Sequence, residues 1–215
     1  PMNFLVIGAD AAGMSAASRA KRNMPEMNVT VLEKTHDVSY SACGMPYNIA
    51  VPGKAIEDLV VRQADVFRQK QGINLLTGHQ VNSIYPKART VAGIIETGEK
   101  FEFPYDKLLI ATGGSPIAPD LPGVELPGVL TLKNLYHGRQ IKSYIDGHQV
   151  KKAVIIGMGY IGLEMCEALH ARSIEVDMVK PNPALLPWMA NELSDVVQNG
   201  VETNGVTLHM GHSVQ

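Results

Sequence analysis

One local plan occurs twice in this sequence, and that duplication restricts the fold more than any other feature. Each copy is a short β-rich apolar run, a glycine-spaced turn, an amphipathic stretch of helical period and a second β-rich run. The first copy reads Phe4–Ile7, Gly8–Gly13, Met14–Arg22 and Val29–Leu32. The second reads Ala153–Ile156, Gly157–Gly162, Leu163–Arg172 and Glu175–Val179. Strand, helix and strand in that order form the βαβ unit of a parallel, helix-flanked sheet. Having two such units raises the question of why one chain needs two nucleotide sites.

The intervening sequence supplies further elements. Leu59 to Gly72 predicts a helix that ends at Gly72, ahead of a strand at Ile73–Leu76. Lys107–Ala111 predicts another strand, closed by Thr112-Gly113-Gly114. Four of the 13 prolines fall between Ser115 and Gly128, the pattern of a connection between domains. Val206–Met210 predicts a third strand of the second unit, and the sequence stops soon after it. The expected class is therefore α/β, with two Rossmann-like, three-layer nucleotide-binding domains, the second incomplete. The expected segments are 1–112, 113–150 for the connection, and 151–215.

Composition narrows the partners. With 19 basic and 21 acidic residues the net charge is −2, which offers no electrostatic footprint for nucleic acid or a membrane surface. The start lacks the basic region of a signal peptide, and no apolar run is long enough to span a bilayer. Only Cys43 and Cys166 are present, too few and too far apart for a disulfide-stapled secreted domain. A reducing, cytoplasmic setting is expected.

In the first glycine turn, Gly8-Ala9-Asp10-Ala11-Ala12-Gly13, Asp10 occupies the middle position of G-x-G-x-x-G. The context is that of a dinucleotide site: a strand before, a helix after, and Glu33 at the end of the next strand. Glycines permit the turn and close helix–strand packing, the helix N-terminus offers free N–H groups to a pyrophosphate, and the acid can accept from ribose hydroxyls. Gly157-Met158-Gly159-Tyr160-Ile161-Gly162 carries all three glycines. Its second strand ends in Lys180, where an acid would favour NAD and a cation can meet the 2′-phosphate of NADP. The competing reading of Lys180 is a solvated lysine before Pro181.

The chemistry points to Ser39-Tyr40-Ser41-Ala42-Cys43-Gly44-Met45-Pro46-Tyr47. A helix starting near Pro46 would favour a thiolate at Cys43, and a thiolate attacks disulfides or peroxides. No second cysteine is spaced to form a local dithiol. The alternative, a buried structural cysteine, suits Cys166 in the apolar helix after the second turn. The seven histidines show no metal-ligand spacing, so no metal is expected. Arg19 and Arg22 could clamp a phosphate or simply edge a solvated helix face.

Taken in order, Gly8-Ala-Asp-Ala-Ala-Gly13-Met-Ser-Ala-Ala17, Ser39-x-x-x-Cys43-Gly-x-Pro-Tyr, Ala111-Thr112-Gly113 and Gly157-x-Gly-Tyr-Ile-Gly-x-Glu164 resemble the pyridine nucleotide-disulfide oxidoreductase family, in its single-cysteine branch. The resemblance covers essentially the whole chain. It implies a flavoenzyme that reduces coenzyme A disulfide, persulfide or polysulfide through Cys43, or alternatively an NADH oxidase or peroxidase with a cysteine sulfenic acid. A non-catalytic nucleotide-binding redox sensor is a third possibility. It further implies FAD at Gly8, Ala9, Ala11, Ala12, Gly13, Glu33, Lys34, Ala111, Thr112 and Gly113. NAD(P)H would fall on Gly157, Gly159, Tyr160, Ile161, Gly162, Glu164 and Lys180, with Tyr160 near the nicotinamide–flavin interface. Coenzyme A would meet Ser15, Arg19, Arg22, Ser39 and Ala42, giving the arginine pair a purpose; a family lysine falls on Gln71 instead, beside Lys70. The resemblance also implies a homodimer and later segments that these residues lack, so that this portion alone is expected to be inactive.

Overall fold

The computed structural model describes residues 1–215. In chain order it contains β1 (Asn3–Ile7), α1 (Ala11–Asn23), β2 (Asn28–Leu32), α2 (Met45–Ala50), α3 (Ala64–Gln71), β3 (Asn74–Leu76), β4 (His79–Tyr85), β5 (Thr90–Ile95), β6 (Lys100–Pro104) and β7 (Lys107–Ile110). There follow α4 (Leu135–Gly147), β8 (Lys152–Ile156), α5 (Tyr160–Ala171), β9 (Glu175–Lys180), α6 (Asn191–Thr203) and β10 (Thr207–Met210). The class is α/β, and the chain divides into two compact units: 1–41 with 58–115, and 42–57 with 116–215.

The first unit is built on a parallel sheet of order β3-β2-β1-β7. The period-2 alternation of β1 sends its side chains to opposite faces. Phe4 and Val6 pack with Met14, Ala17 and Phe67 of α1 and α3. Leu5 and Ile7 pack instead with Val91, Phe101 and Phe103 of an antiparallel sheet of order β4-β5-β6. Both faces of the parallel sheet are therefore covered, and the continuous apolar run Phe4–Ile7 follows from that burial. The sequence reading did not include the antiparallel sheet.

Helix α3 is shorter than the expected Leu59–Gly72. Gly72 does end it, in the left-handed region at φ 63°. Its start is displaced because residues 59–61 are paired elsewhere: Ser41 N–H donates to Leu59 O at 2.8 Å and Val61 N–H to Ser39 O at 2.8 Å. That pairing, with the Tyr40–Val60 bridge, leaves those groups outside any helix.

The second unit has a parallel sheet of order β10-β9-β8. Ala153 and Ile155 of β8 face a core shared with α4, α5 and α6, whereas Val154 and Ile156 are 59% and 55% exposed. The unit differs from the expected segments in two ways. Residues 113–150 are more than a connection, since Leu135 and Ile141 of α4 are core residues. Residues 42–57 pack here and not with the first unit. Six-residue α2 is too short to hold itself together and leaves its last carbonyls without helical partners. Lys142 Nζ supplies donors to Asn48 O at 2.8 Å and Val51 O at 3.2 Å. Arg172 donates to Ile49 O at 3.3 Å while pairing with Asp146. No helix is long and apolar enough to cross a membrane.

Candidate functional site

The first glycine turn is shaped by backbone approach. Gly8 has φ 105°, and a Cβ on it would strike the Ala111 carbonyl, while one on Gly13 would strike the Gly8 carbonyl. These glycines bring α1, β1 and β7 together. Ala9 is buried, and Ala11 and Ala12 are exposed in the first turn of α1, where N–H groups lack helical partners. Asp10, standing where the pattern has a glycine, accepts from Tyr40 N–H at 3.3 Å.

Glu33 ends β2 beside this turn. One carboxylate oxygen accepts from Ala9 N–H at 2.9 Å, and the other accepts from Thr35 N–H and Oγ1, each at 2.9 Å. Lys34 is exposed. Ala111 N–H donates to Ile7 O at 2.8 Å, Thr112 is exposed and Gly113 has φ 66°. A groove of about 330 Å³ opens at the carboxyl ends of β1 and β7, lined by Ile7, Ile110, Thr112 and residues Val81–Ile84 of β4. The ladder slips between Val81 and Ser83, leaving Asn82 out of register. The β4 residues were not among the candidates drawn from the sequence; the only local signal in His79–Tyr85 is the β-branched pair Val81 and Ile84, whose spacing of three breaks the strand alternation. Helix N-terminus, terminal acid and groove at the switch side of a parallel sheet suit a dinucleotide such as FAD.

In the second turn Gly157 has φ 104° and a Cβ on Gly162 would strike the Gly157 carbonyl, as one on Gly13 would strike Gly8, but a Cβ on Gly157 meets no heavy atom within 4 Å, unlike one on Gly8. Around Gly159, too, no heavy atom lies within 4 Å of where its Cβ would sit, and its φ of −84° suits any residue, so its missing side chain leaves space open to a ligand. Tyr160 and Ile161 are exposed and Glu164 is half-buried. Trp188 Nε1 donates to the Tyr160 hydroxyl at 3.2 Å. Lys180 directs its ammonium to the carbonyls of Ala184 and Leu185, 2.8 Å each. Burial lowers its pKa from the usual lysine value.

Ser15, Arg19 and Arg22 are exposed along one face of α1. Ser39 stands at φ 48°, unusual for a non-glycine residue, with its N–H donating to Ala9 O at 2.9 Å. Ala42 is half-buried and opens the 3-10 turn Ala42–Gly44, at whose centre Cys43 is exposed. The turn leads directly into α2, with Pro46 in its first turn. Cys166 is buried, and its thiol pKa is raised first by desolvation and then by Glu167. Exposure thus separates the two thiols, Cys166 enclosed in the core and Cys43 open to solvent. No three His, Cys, Asp or Glu side chains are grouped to hold a metal ion.

Two glycine-built strand–turn–helix units, each on a parallel sheet, give the geometry of a dinucleotide-binding α/β protein, and Cys43 is its exposed cysteine. The chain belongs to the pyridine nucleotide-disulphide oxidoreductase family, whose model matches residues 2–215. It is 38% identical over 196 residues to the NAD(P)H sulfur oxidoreductase (CoA-dependent) of Pyrococcus furiosus, covering 90% of this chain and 43% of that protein. It is 30% identical over 215 residues to an NADH oxidase of Methanocaldococcus jannaschii, covering 100% of this chain and 48% of that one. The crystal structure of reduced Bacillus anthracis CoADR-RHD superposes with a TM-score of 0.95 at 29% identity, covering 99% and 39% of the two chains. The chain spans about half the length of the curated relatives it matches.

Proposed function

We propose that the whole protein is an FAD-dependent NAD(P)H oxidoreductase that reduces a coenzyme A disulfide, persulfide or polysulfide through Cys43. The observation that carries this reading is the placement of Cys43 on an exposed turn, with the other cysteine buried. FAD is assigned to the first turn, with Glu33 and the α1 N-terminus as its holders, and NAD(P)H to the second. Bound flavin would supply the two-electron link between the nicotinamide and the sulfur chemistry.

The residues of this chain then have defined tasks. Cys43 as thiolate attacks one sulfur of the substrate disulfide, forming a mixed disulfide and releasing the first thiolate. An electron pair and a proton delivered to that mixed disulfide release the second thiol and restore Cys43. The net change is one NAD(P)H and one proton consumed for two thiols formed. Ser15, Arg19 and Arg22 offer coenzyme A phosphates two guanidinium groups and a hydroxyl on one helix face. We assign this reading to a homodimer in the cytoplasm, where a reducing environment keeps an exposed thiol such as Cys43 free.

Replacing Cys43 by Ser in the full-length protein should abolish NAD(P)H-driven thiol release, a drop of on the order of a thousandfold or more for a lost nucleophile. Retained disulfide reduction would sink the mechanism. The resemblance to an NADH oxidase favours a second reading, in which Cys43 cycles through sulfenic acid. Oxygen uptake without thiol release, unaltered when Arg19 and Arg22 are both replaced by Ala, would select it.

A further inference from the structure

Lys180 closes β9 at the place where a terminal side chain can read the adenosine ribose of a dinucleotide, yet its charge is directed into its own loop. Two of its three ammonium protons hold Ala184 O and Leu185 O, each at 2.8 Å. Asn182 Oδ1 accepts from Ala184 N–H at 2.8 Å, and Met189 N–H donates to Leu186 O at 3.0 Å. Leu185 and Leu186, 1% and 2% exposed, anchor the middle of the loop in the core. The far end of that loop presents Trp188, whose indole N–H meets the Tyr160 hydroxyl at 3.2 Å with the rings 5.7 Å apart and edge-on. Tyr160 is the first residue of α5, next to the open space at Gly159.

We infer that Lys180 is a positioning residue for the nicotinamide nucleotide: it pins residues 181–190, so that Trp188 holds Tyr160 at the glycine turn, and it serves NADH and NADPH alike. This rests on the reading of the second turn as the nicotinamide-nucleotide site. The physical reason is competition. To grip a 2′-phosphate the ammonium would have to abandon both carbonyls; water can replace it at exposed Ala184, but the part-buried Leu185 carbonyl would be left unpaired at a cost. A side chain that must unmake its own loop is a poor discriminator between two nucleotides that differ by one phosphate.

Trp188 is the only tryptophan of the 215 residues, so its emission reports this loop alone. The test compares the 215-residue chain with its Lys180→Met and Lys180→Arg variants, matched for melting temperature. Trp188 anisotropy and acrylamide quenching are measured first without nucleotide, then NADH and NADPH are titrated separately. Lys180→Met should lower the anisotropy, raise quenching, and weaken both nucleotides by one common factor of about tenfold. Lys180→Arg, which keeps two donors, should recover most of each loss. A loss confined to NADPH would make Lys180 a phosphate reader and overturn the inference. Unchanged affinities or an unchanged Trp188 signal would overturn it as well. Should the parent chain bind neither nucleotide, the site reading falls, and the Trp188 signals of the free variants still decide whether Lys180 pins the loop.

Discussion

The two glycine turns share a backbone and differ in what closes them. In the first unit the strand ends in Glu33, whose carboxylate accepts from Ala9 N–H within the turn itself. In the second it ends in Lys180, whose ammonium donates to carbonyls of the loop that follows. Opposite charges at one structural position thus bond in opposite directions, the acid towards the free N–H groups of the turn and the cation away from them. The middle positions differ in the same sense. Asp10 fills its place and bonds Tyr40 N–H, whereas Gly159 leaves its place open. The first turn is held by side chains, and the second has its open space at the backbone.

The largest expected effects come from glycines common to both turns. Gly13→Ala and Gly162→Ala each drive a methyl group into a carbonyl of their own turn, and each should cost about 3 kcal/mol in denaturant unfolding. Gly159→Ala sharpens the contrast. Its backbone, φ −84° and ψ −174°, accepts alanine without strain, so stability should be unchanged or raised by up to about 1 kcal/mol. NADH affinity should nonetheless fall on the order of tenfold, because the methyl occupies space that a nucleotide would use. If Gly159→Ala unfolds the chain, or leaves nucleotide binding untouched, the distinction between packing glycines and a ligand glycine is broken.

A smaller effect tests the acid. Glu33→Gln keeps the size of the side chain and removes the charge from its bonds to Ala9 and Thr35, which should cost about 1–2 kcal/mol of unfolding free energy. FAD affinity should drop with it, since the amide replaces one acceptor by a donor facing the turn. A loss of stability with full flavin affinity would leave Glu33 a structural cap and nothing more.

How much of this was legible depended on whether the signal was local. Both βαβ units could be read because Phe4–Ile7 and Ala153–Ile156 carry strand patterns that end in glycine turns, and Gly72 marked a helix end. The start of α3 is not legible locally, since Leu59 and Val61 pair with Ser41 and Ser39, partners distant in sequence. The β4–β6 sheet is covered on one face only by the parallel sheet, and its half-buried strands carry a weaker pattern. Helix α4 was hidden behind the proline-rich stretch that precedes it. At the site, the terminal residues Glu33 and Lys180 could be found by position. Which way the Lys180 ammonium points could not, because its acceptors are backbone carbonyls, which every residue supplies.

The last contrast lies on Tyr40, and it exists only in the first unit. Its phenol pKa is pushed up to about 12 from an ordinary 10.0, chiefly by burial and then by Asp10, Glu33 and Asp37. The second turn has Gly159 where the first has Asp10, so no carboxylate stands at that position there. Because the folded value is raised, the fold favours the neutral phenol. The resulting stability is fully present below pH 10, and it is lost as pH rises from there towards about 12. Comparing the ultraviolet phenolate titration of the parent with Tyr40→Phe should isolate one tyrosine that ionises last. Asp10→Asn should bring that ionisation down only part of the way, because burial remains the larger cause. A Tyr40 that titrates with ordinary phenols would mean that the side-chain-held turn is open to water, and the contrast between the two turns would lose its electrostatic half.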